Sequence, residues 1–132
     1  MVENHASSID IGLLSDALKA IREAQNEVLW KPGKGTSHLT KRIRLGHLPA
    51  EATLTEYESV IIEVLRNDKA HLYLFSYKNK AYPTLGAEIS GEYWLVMIGL
   101  DGVIETAFPP DDAEEYLADP AFIYVGVMEE LK

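Results

Sequence analysis

The chain has 132 residues, no cysteine, 47% hydrophobic and 25% charged residues, and a formal net charge of −9. These proportions suit a single globular domain over 1–132 and exclude a disordered tail, a disulfide framework, a thiolate metal site and a thiol nucleophile. Net acidity opposes nonspecific nucleic-acid binding. Residues 1–8 show no basic-then-apolar leader, and no window approaches the roughly eighteen apolar residues of a membrane span, so a cytoplasmic protein with no membrane partner is expected.

Residues 9–30 place Leu14, Leu18, Ile21 and Val28, with Ala17 and Ala24 between them, at steps of three and four. The spacing predicts an amphipathic helix with Ser8 or Asp10 as its cap, stopped by Pro32-Gly33 and Gly35. This N-terminal helix (1–30) is expected to precede an α+β core (31–132). A short helical turn over 38–43, capped by Ser37, puts His38 on one face with Lys41 or Arg42. Thr55 and Glu58 have the spacing of a capping box ahead of a helix with the apolar stripe Tyr57, Val60, Ile61, Val64 and Leu65, ending near Asn67.

From Leu72 to Tyr77 the period changes to two, predicting a strand buried on both faces and followed by a turn at Asn79-Lys80. Pro83 and Gly86 interrupt 81–90, which is expected to be a loop or an edge strand. Residues 92–100 are apolar enough for a strand, Asp101-Gly102 carries the type I′ hairpin signal, and 103–108 returns as its partner. Pro109-Pro110 breaks that strand, Asp111 or Asp112 caps a short acidic helix to Leu117, and 122–127 is a last strand. Helices first and strands after predict an α+β fold, its N-terminal helices packed on one face of a mostly antiparallel sheet of four to five strands. Disorder is expected only at the two ends.

Charge is distributed unevenly. Residues 28–50 hold Lys31, Lys34, Lys41, Arg42 and Arg44 with His38 and His47, and no carboxylate, so the rest of the chain, −9 less the window's +5, stands at −14. A basic island in an acidic protein is a place for an anion, and phosphate is the expected one. His38 and His47 are the candidate proton carriers, because unperturbed imidazole titrates near neutrality. Arg42 and Arg44, with His47, are candidate phosphate ligands, a guanidinium presenting paired donors to two phosphate oxygens. Thr106 offers a hydroxyl on a strand otherwise made for packing. Each has a plainer role open to it: a histidine that caps or packs, an arginine paired with one of the many acids, a threonine that is simply a good strand former. Tyr73, Tyr77, Tyr82, Tyr93 and Trp94 are stacking platforms if they face outward and core if they do not.

Several motifs are incomplete. Pro32-Gly33-Lys34-Gly35-Thr36 lacks the first glycine of a P-loop and follows a helix instead of a strand. No H-E-x-x-H or other ligand set is present, so no metal and no cofactor is expected, and no G-x-S-x-G elbow occurs.

Taken together, Ser37-His38-Leu39-Thr40-Lys41-Arg42, the capped helix of 56–67, Trp94-Leu95-Val96 and Glu105-Thr106-Ala107-Phe108-Pro109 resemble the barnase, EndoU, colicin and RelE-like (BECR) nuclease fold group, in its phage-associated branch. The resemblance covers about 30–127. It implies one or two helices before a four-stranded antiparallel sheet and a toxin-type endoribonuclease that cuts RNA without metal. It further implies catalytic His38 with Lys41 or Arg42 as its basic partner, Thr106 as the late-strand hydroxyl, and attack of the ribose 2′-OH on phosphorus to leave a cyclic phosphate. Two other functions fit the charge balance: an acidic immunity or antitoxin-like module that binds a basic protein partner without catalysis, and a small domain that binds a phosphate-bearing metabolite.

Overall fold

The computed structural model describes residues 10–131. Ser8, Ile9 and the end positions expected to be disordered lie outside the described residues. Three helices come first, α1 (Ile11–Asn26), α2 (Lys34–Arg44) and α3 (Leu54–Leu65). Five strands follow, β1 (His71–Tyr77), β2 (Lys80–Ile89), β3 (Glu92–Ile98), β4 (Ile104–Phe108) and β5 (Phe122–Val127). The short helix α4 (Ala113–Leu117) stands between β4 and β5, and α5 (Met128–Leu131) follows β5. The fold is α+β, and the sheet is antiparallel throughout, in the order β4-β3-β2-β1-β5.

The helical stripes are buried as their spacing requires. Ala17, Ala20, Ile21 and Ala24 of α1 and Tyr57, Ile61, Val64 and Leu65 of α3 enter one cluster with Leu72, Leu74, Leu85, Val96, Ile98 and Ala107 of the sheet. Small residues on α1 let it lie close to α3 and the strands. Asp10 caps α1 by accepting from the Gly12 N–H at 3.0 Å.

Several local expectations change. The first helix stops at Asn26, well short of Pro32, because Glu27 turns extended and the chain leaves the helix to reach the sheet. There Trp30 forms a parallel bridge with Ile104, and the Ile104 N–H donates to the Leu29 carbonyl at 2.8 Å. Gly35 does not stop a helix; it lies inside α2, which begins at Lys34 after Gly33 in the left-handed region, so Ser37 is not its cap. The capping box of α3 is Thr53 with Glu56, two residues before the Thr55 and Glu58 pair. Both pairs fit the same S/T-x-x-E spacing, and Glu58 is instead used by Trp30, whose Nε1–H donates to it at 2.8 Å.

The segment expected as a loop or edge is β2, a central strand. Pro83 is tolerated because it pairs with Leu74 of β1 one residue outside the ladder to β3, which begins at Thr84. The tight hairpin turns are also elsewhere. Lys78-Asn79 joins β1 to β2 and Ser90-Gly91 joins β2 to β3, all four residues at positive φ. Asp101-Gly102 is instead part of a wider loop in which Asp101 has no positive φ; the Gly99 N–H donates to the Val103 carbonyl and Asp101 Oδ1 accepts from the Val103 N–H. The acidic helix α4 takes Asp112 as its cap.

Register assigns the aromatics to faces. Trp94 is buried on the helix side. Direct partners Phe75 with Phe122 and Tyr73 with Tyr124 share the opposite face with His71, Tyr77, Tyr82, Tyr93 and Phe108. The chain crosses that second face through α4 on its way from β4, at one edge, to β5 at the other.

Candidate functional site

The basic window folds as α2 and its flanks, packed against α3 and the β4 edge. Lys34, His38 and Lys41 recur at steps of four and three, which aligns them on one side of α2, and Arg44 continues the row. With Ser37 and Thr40 they line an open groove of roughly 460 Å³ that contains no carboxylate. Lys34, Lys41 and Arg44 form no ion pair among the described residues; Lys31 does, with Glu105 at 3.2 Å.

His38 is half-buried because Trp30 covers it. The two rings stack with centroids 5.6 Å apart and 26° between planes, and Trp30 packs in turn against Tyr57 of α3 at 5.7 Å. Gly35 makes this possible. A Cβ there would stand 2.9 Å from Trp30 Cδ1, so only glycine lets α2 approach the indole this closely. Burial pushes the His38 imidazole below its ordinary value, and the charges of Arg42, Lys34 and Lys41 push the same way, with Glu105 opposing. The ring is therefore held toward its neutral form, the form that accepts a proton.

Arg42, four residues on from His38, is turned inward. Only 3% of its surface is exposed, its guanidinium stands over the Phe108 ring, and its buried Nε has no hydrogen-bond partner among the described residues. Burial lowers its pKa, but an arginine remains a cation. The neighbouring Tyr57 hydroxyl donates to the Ala107 carbonyl, and burial pushes its pKa up to about 12, so it stays a donor and ties α3 to β4.

His47 lies beyond the end of α2, its backbone N–H donating to the Arg42 carbonyl at 2.8 Å. Its buried Nδ1 has no hydrogen-bond partner among the described residues. Burial lowers its pKa first and Arg42 second, against the charges of Glu92 and Asp111. Thr106 pairs with Met97 on the second face of the sheet and makes no side-chain hydrogen bond among the described residues.

The structure thus brings His38, Lys41 and Arg44 into one groove, sets Arg42 beneath it, and leaves His47 and Thr106 outside its lining. Lys34, Trp30 and Glu105 join the site without having been singled out. Lys34 had a signal, its step of four from His38. Trp30 and Glu105 had none, since their contacts are tertiary. Among the described residues no group of three His, Asp or Glu side chains is placed to hold a metal ion, and no helix is long and apolar enough to cross a membrane. No family model matches the chain, and neither does any curated protein or solved structure.

Proposed function

We propose that the α2 groove is a phosphodiester site and that the protein is a toxin-type endoribonuclease acting by 2′-OH transesterification without a metal. One observation supports this above the others: a half-buried imidazole, biased neutral despite the nearby Glu105, sits in a groove whose lining holds three cations and no carboxylate. In this reading His38 takes the proton of the ribose 2′-OH as its oxygen bonds to phosphorus. The bond from phosphorus to the 5′ oxygen breaks, and that oxygen receives the proton, leaving a 2′,3′-cyclic phosphate and a 5′-hydroxyl. Lys41 and Arg44, with Lys34, hold the phosphate and offset the charge that builds on its equatorial oxygens. Arg42 acts from below, through its field on the groove and on His38. His47 and Thr106 take no part in the proton transfer and are available to flanking nucleotides.

The test is cleavage of single-stranded RNA by the full chain in a chelator, comparing native protein with His38→Ala. Cleavage that yields cyclic phosphate ends and is lost in the variant supports the reading. Equal cleavage by both proteins overturns it. Absence of cleavage together with tight, salt-sensitive capture of a basic nuclease replaces it with the immunity-like function.

A further inference from the structure

A cavity lined by Phe108 lies between α4 and the second face of the sheet and goes unused by the phosphodiester reading. It measures roughly 650 Å³, within the usual range of small-ligand sites. Its walls are aromatic: Phe75 and Phe122 have centroids 4.6 Å apart, Tyr116 stands 5.6 Å from Phe122, and Phe108 meets Tyr116 edge-on at 5.3 Å. Its rim is acidic, carrying Asp111, Asp112, Glu115 and Asp119 and no basic residue. None of the four forms an ion pair among the described residues. Asp112 and Asp119 each accept one backbone N–H, whereas Asp111 and Glu115 have no side-chain hydrogen bond there.

π faces rimmed by carboxylates that form no ion pair among the described residues are complementary to an organic cation and hostile to phosphate. An apolar ligand would leave the rim unneutralised, and a hydrated inorganic ion would not use the rings. A guanidinium or alkylammonium uses both. Its apolar stem lies along the rings while its charge meets the rim. One of these rings already takes a guanidinium, since Arg42 stands 5.5 Å from the Phe108 centroid.

The geometry points to this cavity as a docking site for an arginine or lysine side chain of a basic peptide segment on a protein partner. The wider charge balance favours a polypeptide occupant. Outside 28–50 the chain stands at −14, which attracts and orients a basic segment over a surface much larger than the cavity.

The experiment is an amide NMR titration of the full chain with a short peptide carrying two arginines, with the same peptide carrying citrulline, and with spermidine. The arginine peptide is expected to shift amides of α4 and of Phe75 and Phe122, and the uncharged citrulline peptide to leave them in place. The double variant Asp111→Asn with Glu115→Gln, both exposed residues that cap no helix, is expected to weaken binding about tenfold and to keep the native spectrum elsewhere. Phe75→Leu is expected to weaken it as well, which a merely electrostatic attraction would not produce. Equal shifts by the citrulline peptide, or undiminished affinity in the double variant, overturn the proposal. Spermidine binding as tightly as the peptide at the same amides also overturns it, in favour of a free polyamine site. None of these outcomes depends on RNA cleavage.

Discussion

The guanidinium of Arg42 rests over the Phe108 ring, 5.5 Å from its centroid, and forms no ion pair among the described residues. The same phenyl ring serves two opposite electrostatic regions. It carries the buried Arg42 cation and also lines the acid-rimmed cavity beside α4.

An unpaired buried charge costs stability that an apolar side chain of similar length does not. Arg42→Met is expected to stabilise the fold by about 1 kcal/mol, measured as a higher urea midpoint at unchanged slope. Loss of more than about 2 kcal/mol would mean that the guanidinium is partnered in solution. In the same variant the His38 pKa is expected to rise, since a nearby positive charge has gone, and to stay below 6.5 because burial remains; histidine ring NMR titration reads this directly.

Burial holds the folded pKa values of His38 and His47 below the ordinary imidazole value of 6.5. The unfolded chain then binds more protons than the native one on the acid side, so stability rises with pH through this window. The two histidines contribute fully above 6.5; on acidification their contribution begins to fall near that value and is lost once pH has passed through their folded pKa values. Denaturant midpoints measured between pH 7.5 and 5 are expected to fall, and His38→Gln with His47→Gln to flatten the slope. If the proposed ribonuclease reading holds, cleavage with neutral His38 as the base is expected to climb through a pKa below 6.5 and to be level at neutral pH.

Gly35→Ala places a methyl 2.9 Å from Trp30 Cδ1 and 3.0 Å from Cγ and Nε1. The indole has to move off α2, and His38 loses the ring stacked on it. A loss of about 1–3 kcal/mol is expected, together with a His38 pKa closer to 6.5 as water reaches the imidazole. A variant with native stability would show that the helix can shift outward without consequence.

Thr53→Ala removes the side-chain acceptor for the Glu56 N–H and breaks a reciprocal cap, because Glu56 Oε1 accepts from the Thr53 N–H at 2.8 Å. The expected cost is about 1 kcal/mol. Thr55→Ala, at the other position with capping-box spacing, is expected to cost clearly less, and thermal melts of the two variants separate the frames.

Ser90 has φ 51 in the two-residue turn between β2 and β3, where a side chain is strained. Ser90→Gly is expected to be neutral or stabilising by about 0.5 kcal/mol, read from the melting temperature.

Much of the architecture was legible because it rests on period. The stripe from Tyr57 to Leu65 names a buried face without knowledge of its partner, and the alternation from Leu72 to Tyr77 names the strand, but only its Leu72 and Leu74 side is buried, not both faces as expected. The last strand, 122–127, was legible from its strand-forming residues. Punctuation misled where one residue type serves two ends: Pro83 and Gly86 suggested an edge, yet β2 is central because its proline falls beyond the neighbouring ladder. Gly35 suggested a helix stop, yet it answers to Trp30 across space. In the candidate site, local spacing was enough to align His38 with Lys41. The inward turn of Arg42, the indole over His38 and the pairing of Glu105 with Lys31 depend on α2 meeting the β4 edge, which no local pattern records.

β5 joins the sheet beside β1, from which it is separated in the chain by three other strands and α4. Its junction with α5 is pinned to the start of β1 as well, the Met128 N–H donating to the Ala70 carbonyl and the Glu129 N–H to that of Asp68. A ribosome-bound chain can build β1 to β4 by successive neighbouring pairings, but the outer side of β1 stays open until 122–127 have emerged. During that interval the nascent protein presents an unpaired strand, so the timing of translation decides how long it is vulnerable to adding a strand from another chain.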